Sequence, residues 1–385
     1  MDNHSLNQDR IDRFIQLLTD EQWDLLLVYG QAWRKDFFRC LLNVNFTGPH
    51  AAAAMDRSGQ VRVLASHPWD FEAMGDFEAI GVHEAMAESR AGSALFEYDF
   101  ADGLRKLVSG RAGASVAIAG MELMEARFVD AIRSVTGRVP VSATGAVEEI
   151  RRHKNAHEIE CMKKAAELSD RGYQHFAEVI EAGMREYELV AEVEAFLKSN
   201  GAEDNFMLIA SGGTEVTGMK PPTDRKFQWG DSVTTELTPQ VNGYWAQICR
   251  TLVLGDPNPD QRKAFSIFAE SQKAAEDLLK PGVNVSDLAR VQNDVFRKYG
   301  YGDYTGSKYT RVRGHGLGLH FDENPYVLED VSYVMKDGMT LIAHPNTYLP
   351  LSGYMVFGDS LMVTASGCLA LNTTERKLFQ KGGGR

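Results

Sequence analysis

Two runs rich in β-forming residues, 232–237 and 244–254, meet at Val241-Asn242-Gly243. Asn-Gly is the strongest short-range hairpin signal, because both residues tolerate the positive φ that a tight two-residue turn demands. The turn sets the pairing register, and the register sets which side chains share a face. With Asn242 and Gly243 as the turn, Glu236 lies opposite Cys249 and diagonal to Gln247. With the turn one residue earlier, it lies opposite Gln247. In both registers Glu236 and Gln247 project from the same face, so a polar pair is committed to one side of a sheet.

The rest of the chain supplies two contexts for this hairpin. Its 385 residues suit two domains, each large enough to bury a core. Residues 10–22 place Ile11, Phe14, Ile15, Leu17 and Leu18 near helical spacing. An apolar run at 25–29 reads as a strand closed by Gly30. Residues 51–55 and 61–65 flank the turn chemistry of Asp56-Arg57-Ser58-Gly59, and a strand at 116–119 precedes a helix over 122–135. This alternation predicts an α/β N-terminal domain over residues 1–150. A charged helix over 148–182 opens a second domain, 151–385. There, helices near 184–200, 260–280 and 285–298 accompany recurrent strands, the pattern of an α+β fold on an antiparallel sheet.

Composition excludes several functions. The formal charge of −12 comes from acidic residues spread along the chain, leaving no basic stripe to neutralise phosphates, so no nucleic-acid partner is expected. No run approaches the ~18 apolar residues of a membrane helix, and Met1-Asp2-Asn3-His4 begins no apolar signal region, so a cytoplasmic protein is expected. Cys40, Cys161, Cys249 and Cys368 are scattered without a CxxC pair, which argues against a disulfide framework or a zinc knuckle.

The hairpin and its neighbours resemble a known family. Gly230-Asp231-Ser232-Val233 through Glu236, then Gly243-Tyr244-Trp245 and Arg250-Thr251, are similar to the signature of the creatinase, prolidase and methionine-aminopeptidase superfamily (pita-bread fold, peptidase M24). In that signature two metal-binding aspartates stand eleven residues apart, and Glu236 and Gln247 stand eleven apart at those positions. Residues 151–165 resemble the family's linker helix, and Pro221-Pro222-Thr223-Asp224-Arg225-Lys226 the stretch before its hairpin. Lys280-Pro281-Gly282, Gly314-His315-Gly316-Leu317-Gly318, Gly338-Met339 and residues 359–364 follow in the family's order. The resemblance spans roughly residues 150–370; the N-terminal half matches only in size and α/β pattern. It implies an α/β N-terminal domain followed by an α+β pita-bread C-terminal domain. It also implies a homodimer in which the partner's N-terminal domain closes over the active site.

The site itself departs from the pattern. In the metallopeptidase members, five carboxylate and histidine ligands hold two divalent metals whose bridging water attacks an amide. The corresponding positions here are Glu236, Gln247, His315, His344 and Gly358, of which only His315 keeps the family identity. Two lost carboxylates argue against two dications ~3.5 Å apart. The expectation is no metal, or a single divalent ion held by Glu236, His315 and His344 as a two-His-one-carboxylate site. The metal-free chemistry of creatinase does not transfer, because its catalytic histidine position is Met219 and its catalytic glutamates fall at Cys249 and Gly358. The family's second histidine is replaced by Asp322. His320, two residues earlier, shares a face with it on an alternating strand, where the carboxylate would raise the imidazole pKa.

These residues predict a creatinase-like enzyme that breaks a C–N or related bond in a small polar metabolite. Acid-base chemistry would centre on His315, His344 and Glu236, with His320 and Asp322 in support. Gln247, Asn346, Tyr348 and Tyr354 are expected to bind substrate as neutral groups, and Arg313 to clamp a substrate carboxylate. His50 and Arg34 are expected to reach the neighbouring subunit's pocket. A lyase or isomerase would use the same groups. A non-catalytic binding or scaffold protein is the other alternative, against which stands the cost of burying polar Glu236, Gln247 and His344 without a role.

Overall fold

The computed structural model describes residues 3–43, 45–66 and 99–382. The chain divides into two compact units, Met1–Arg151 and Arg152–Arg385. No helix among the described residues is long and apolar enough to cross a membrane.

The first unit is built on a five-stranded sheet. Its strands are β1 (Leu25–Gln31), β2 (His50–Asp56), β3 (Val61–Ala65), β4 (Val116–Ala119) and β5 (Val141–Ser142), in the order β3-β2-β1-β4-β5. β1 pairs antiparallel with β2 and parallel with β4. Its residues 25–30 are all buried, as suits a central strand. Leu27 and Tyr29 of β1 and Ile118 of β4 share one cluster with Leu104, Phe128 and Ile132 from the helices Phe100–Leu107 and Ala126–Thr136. The β2–β3 turn closes as its sequence predicts: Ser58 donates from its backbone N and its hydroxyl to Asp56 Oδ1, and Gly59 takes φ 81°.

The expected continuous helix over 148–182 is two helices, Thr144–Arg152 and Ala156–Val179. The break is a capping box. Asn155 Oδ1 accepts from Glu158 N (3.0 Å) and Glu158 Oε2 accepts from Asn155 N (2.7 Å), satisfying two orphan donors at the new N-terminus. The Asn-x-x-Glu spacing was present in the sequence, but the charge periodicity on either side masked it.

The second unit carries a nine-stranded sheet whose main path is β10-β11-β14-β9-β7-β6. In chain order the strands of this unit run β6 (Asp204–Gly212), β7 (Ser232–Val241), β8 (Tyr244–Trp245), β9 (Ile248–Leu254), β10 (Gly314–Gly316), β11 (Thr340–Ala343), β12 (Asn346–Leu349), β13 (Gly353–Val356) and β14 (Gly358–Thr364), with β12 and β13 paired as a small sheet of their own. Pairing along the path is antiparallel. Alternation assigns the faces. Val233 and Leu237 of β7 and Ile248, Leu252 and Leu254 of β9 pack with Tyr173, Phe176, Leu189 and Val193 of the helices Ala156–Val179 and Glu186–Ser199. Leu341, Leu361 and Val363 pack with Ala275 and Leu288 of the helices Pro259–Leu278 and Val285–Lys298. The opposite face of β7 is left with Thr234, Glu236 and Thr238.

Arg250 fastens β9 to β14. It is fully buried and donates from Nη2 to Asp359 Oδ1 (2.6 Å) and Thr374 O (3.0 Å), and from Nη1 to Gly358 O (2.8 Å) and Cys249 O (3.0 Å). Its guanidinium lies over Phe357. Arg376 Nε also holds Asp359 Oδ2 (2.9 Å), so in Arg250→Ala the carboxylate keeps one cation, and the loss of the buried charge-assisted bonds is predicted to cost about 1.5–3 kcal/mol. The cost should appear as a lower urea midpoint for the second unit.

Candidate active site

The turn residues Asn242 and Gly243 both have positive φ, 49° and 84°. The register that follows pairs Glu236 with Cys249, the first of the two alternatives the sequence leaves open. One line across the sheet then reads Gly358, Cys249, Glu236, Leu208, on β14, β9, β7 and β6. A second line reads His315, Ile342, Ser360, on β10, β11 and β14. Ser360 Oγ is bonded to both the backbone N (2.8 Å) and O (2.9 Å) of Gln247, which ties Gln247 to this line.

His344 follows β11. Its backbone N donates to Arg313 O (3.0 Å), which draws its ring back toward β10. The His315 and His344 rings meet edge to face, 5.2 Å between centroids. His344 Nδ1 lies 3.7 Å from Glu236 Oε1. Glu236, His315 and His344 thus come together, all buried. His315 Nδ1 lies 3.0 Å from Gly316 O; a carbonyl only accepts, so Nδ1 carries the proton and Nε2 the lone pair.

Burial governs the protonation of the group. It raises the Glu236 carboxyl to about 7, with the Asp322 charge adding to the effect. It lowers His344 well below the usual imidazole range, helped by His315 and Arg313. It lowers His315 too, against the opposing pull of Asp322. Cys249 is pushed well above the ordinary thiol value by burial and by Glu236. At neutral pH the cluster therefore holds two uncharged imidazoles, a thiol and a carboxyl near its midpoint.

The other expected residues divide. Residue 322 is not on an alternating strand with His320: the segment is a loop, and His320 Nδ1 lies 2.8 Å from the Asp322 backbone carbonyl. The Asp322 carboxylate turns instead to His315 Nδ1, 3.7 Å away. Arg313 is wholly buried, not a surface cation. It donates from Nε to Asn293 Oδ1 (2.6 Å) and from Nη1 to Thr310 O (2.8 Å) and Asn346 O (3.0 Å), and burial pushes its pKa down to about 10. Asn346 bridges Arg313 and His344. Gln247 donates to Cys249 Sγ (3.5 Å). Tyr354 is buried, and its pKa is raised by burial and by Glu236. Tyr348 packs with Tyr304 and Tyr309 in an aromatic group of its own. In the first unit, His50 Nδ1 is bonded to Tyr29 OH (2.8 Å) and Arg34 pairs with Asp36 (3.0 Å). A cavity of about 280 Å³ lined by Glu186, Ser211, Thr223 and Arg225 holds none of the expected residues.

The single-ion set Glu236, His315, His344 is not the donor group that forms. Among the described residues, the His, Cys, Asp and Glu ligand atoms within 4.8 Å of one another belong to Glu236, Cys249 and His344. Cys249 was overlooked as a site residue, although its position opposite Glu236 was readable from the turn. Gly358 has no space for a side chain, since a Cβ there would lie 2.3 Å from Ala343 O and 2.6 Å from His344 Cβ. These donors do not match the carboxylate-rich ligand set that the resemblance implies.

Comparison with known proteins places the chain. It is 35% identical over 235 residues to an Xaa-Pro dipeptidase of Pyrococcus furiosus and 32% identical over 235 residues to one of Pyrococcus horikoshii. Each match covers 60% of this chain and 66% of the relative, just under two thirds of its length. The crystal structure of an X-Pro aminopeptidase from Thermotoga maritima superposes with a TM-score of 0.80 at 23% identity, covering 96% of this chain and 99% of that one. The fold is accordingly the pita-bread fold with its preceding α/β domain. These findings correct two expectations. A creatinase-like enzyme on a small polar metabolite, a lyase or isomerase, and a non-catalytic scaffold give way to kinship with dipeptidases. The expectation of no metal, or of one, also falls, because the relatives belong to a metallopeptidase family and nothing in the structure supports either state. Residues 160–365, more than half of the sequence, match "Metallopeptidase family M24", and the chain belongs to that family, as a divergent member.

Proposed function

We propose that the chain is a hydrolase of dipeptide-sized peptides in which Glu236 takes the proton from the attacking water and passes it to the departing amine. The observation that carries this reading is the carboxyl of Glu236 itself. It is buried on the family's signature hairpin, 3.7 Å from His344, and its pKa of about 7 suits both halves of such a proton transfer. Kinship with the two Xaa-Pro dipeptidases supports the substrate class. His315 Nε2 offers an acceptor that can orient a water, and uncharged His344 offers a ring beside the carboxyl without neutralising it. Both imidazoles act without carrying charge into the apolar site.

The purified protein should release free amino acids from Xaa-Pro or other dipeptides, assayed with and without added Mn²⁺, Co²⁺ or Zn²⁺. Glu236→Gln should lower kcat by ~10²–10⁴-fold, the range for loss of a general base. Failure to cleave any dipeptide in any of these metal conditions would overturn the reading. Because the ionised form is the base, kcat/KM of the wild type should rise with pH and level off above about 7.

Stability should move the other way. The folded-state pKa of Glu236 lies above its ordinary 4.5, so its contribution is fully present below that value and is lost as pH rises through about 7. A shift of this size corresponds to roughly 3 kcal/mol. Urea unfolding of the wild type should weaken across that window, and Glu236→Gln should flatten the dependence and be the more stable protein at neutral pH.

A further inference from the structure

We propose that Asn346 is a positioning residue: held by Arg313, it donates from Nδ2 to His344 Nδ1 and fixes His344 as the Nε2–H tautomer, a neutral donor for a substrate carbonyl oxygen. The choice of tautomer follows from what each group is able to do. A guanidinium has donors only, so the atom of the Asn346 amide that faces Arg313 Nη1 (3.4 Å) is its oxygen, and the same Nη1 holds the Asn346 backbone carbonyl at 3.0 Å. The amide is thereby oriented, and its NH₂ is the group 2.9 Å from His344 Nδ1. That nitrogen must accept, so the ring proton resides on Nε2. Flipping the amide would set two donors against each other at Arg313 and is disfavoured by the buried cation.

A second observation points to a ligand. His344 is 4% exposed, and its Nε2 has no hydrogen-bond partner among the described residues. A buried unpaired donor is costly, and such groups are uncommon unless something completes them. The other ring is set the opposite way, since His315 spends its proton on Gly316 O and presents a lone pair. Two imidazoles 5.2 Å apart thus offer one donor and one acceptor. A scissile peptide carbonyl with an adjacent water needs that complement: an acceptor oxygen to be polarised and a donor O–H to be held. The assignment of His344 to the carbonyl rests on the proposed hydrolase function; the tautomer does not.

The tautomer is read directly by two-bond ¹⁵N–¹H correlation spectra of the full chain labelled at histidine, with the His344 signals identified by their loss in His344→Gln. The wild type should show the Nε2–H pattern at neutral pH. In Asn346→Asp the new carboxylate accepts where the amide donated, so His344 should convert to the Nδ1–H pattern. Dipeptide turnover should then fall about 100-fold in kcat with little change in KM, as expected for a lost carbonyl donor. An Nδ1–H pattern in the wild type, or an unchanged Nε2–H pattern in folded Asn346→Asp, would overturn the proposal. If Asn346→Asp does not fold, the wild-type spectrum decides alone. Should no dipeptide be cleaved while the tautomers behave as stated, the positioning role of Asn346 stands and the hydrolase reading falls.

Discussion

The turn at Asn242 and Gly243 decides which side chains share the working face of the second unit. Two successive positive-φ residues place the turn at 242–243, and that turn pairs Glu236 with Cys249 rather than with Gln247. From this single constraint follow the juxtaposition of Glu236 with Cys249, the tie of Gln247 to Ser360, and the row that ends at Gly358. The buried Arg250–Asp359 pair then holds the next strand in register, so the far side of the site is fixed by a charge rather than by a turn.

A cluster so deep in the protein cannot hold many charges, and its chemistry follows from that limit. Desolvation moves each group toward its neutral form: the carboxyl upward, the imidazoles downward, the thiol upward. Among them only Glu236 is left near its midpoint at cellular pH. Arg313 is a nearby cation whose Nε and Nη1 are spent on carbonyls and amides, while its buried Nη2 has no hydrogen-bond partner among the described residues; it reaches the cluster through Asn346 rather than by an ion pair. The family signature is thus kept in backbone geometry while the charge that went with it is largely gone, and Gly358 shows why it cannot simply be restored: the backbone of residues 343–344 fills the space a side chain there would need.

Much of this was legible in the residues. The hairpin and the antiparallel sheet followed from turn chemistry and alternation, and the convergence of Glu236, His315 and His344 from the family resemblance, whose ligand positions they occupy. What escaped was governed by contacts between distant segments. Arg313 is expected to clamp a substrate carboxylate, yet it precedes β10, which begins at Gly314, and Asn293 and Thr310 take its Nε and Nη1. The pairing of His320 with Asp322 assumed a strand where the chain forms a loop, and the carboxylate found His315 instead. The junction helix was drawn too long because helical charge spacing continues across a capping box. The functional expectation failed for a different reason: four altered ligand positions were weighed as a change of reaction, whereas the sequence beyond them retains its kinship with dipeptidases.

The most direct test is a crystal structure of the protein soaked with a non-hydrolysable dipeptide analogue in which a methylene replaces the amide carbonyl, compared with the intact dipeptide bound to Glu236→Gln. The account predicts that the intact dipeptide places its carbonyl oxygen against His344 Nε2 with residue 236 beside the scissile carbon, and that the analogue lacks the His344 contact. Binding confined to the cavity lined by Ser211 and Arg225, with no ligand atom near His344, would contradict it.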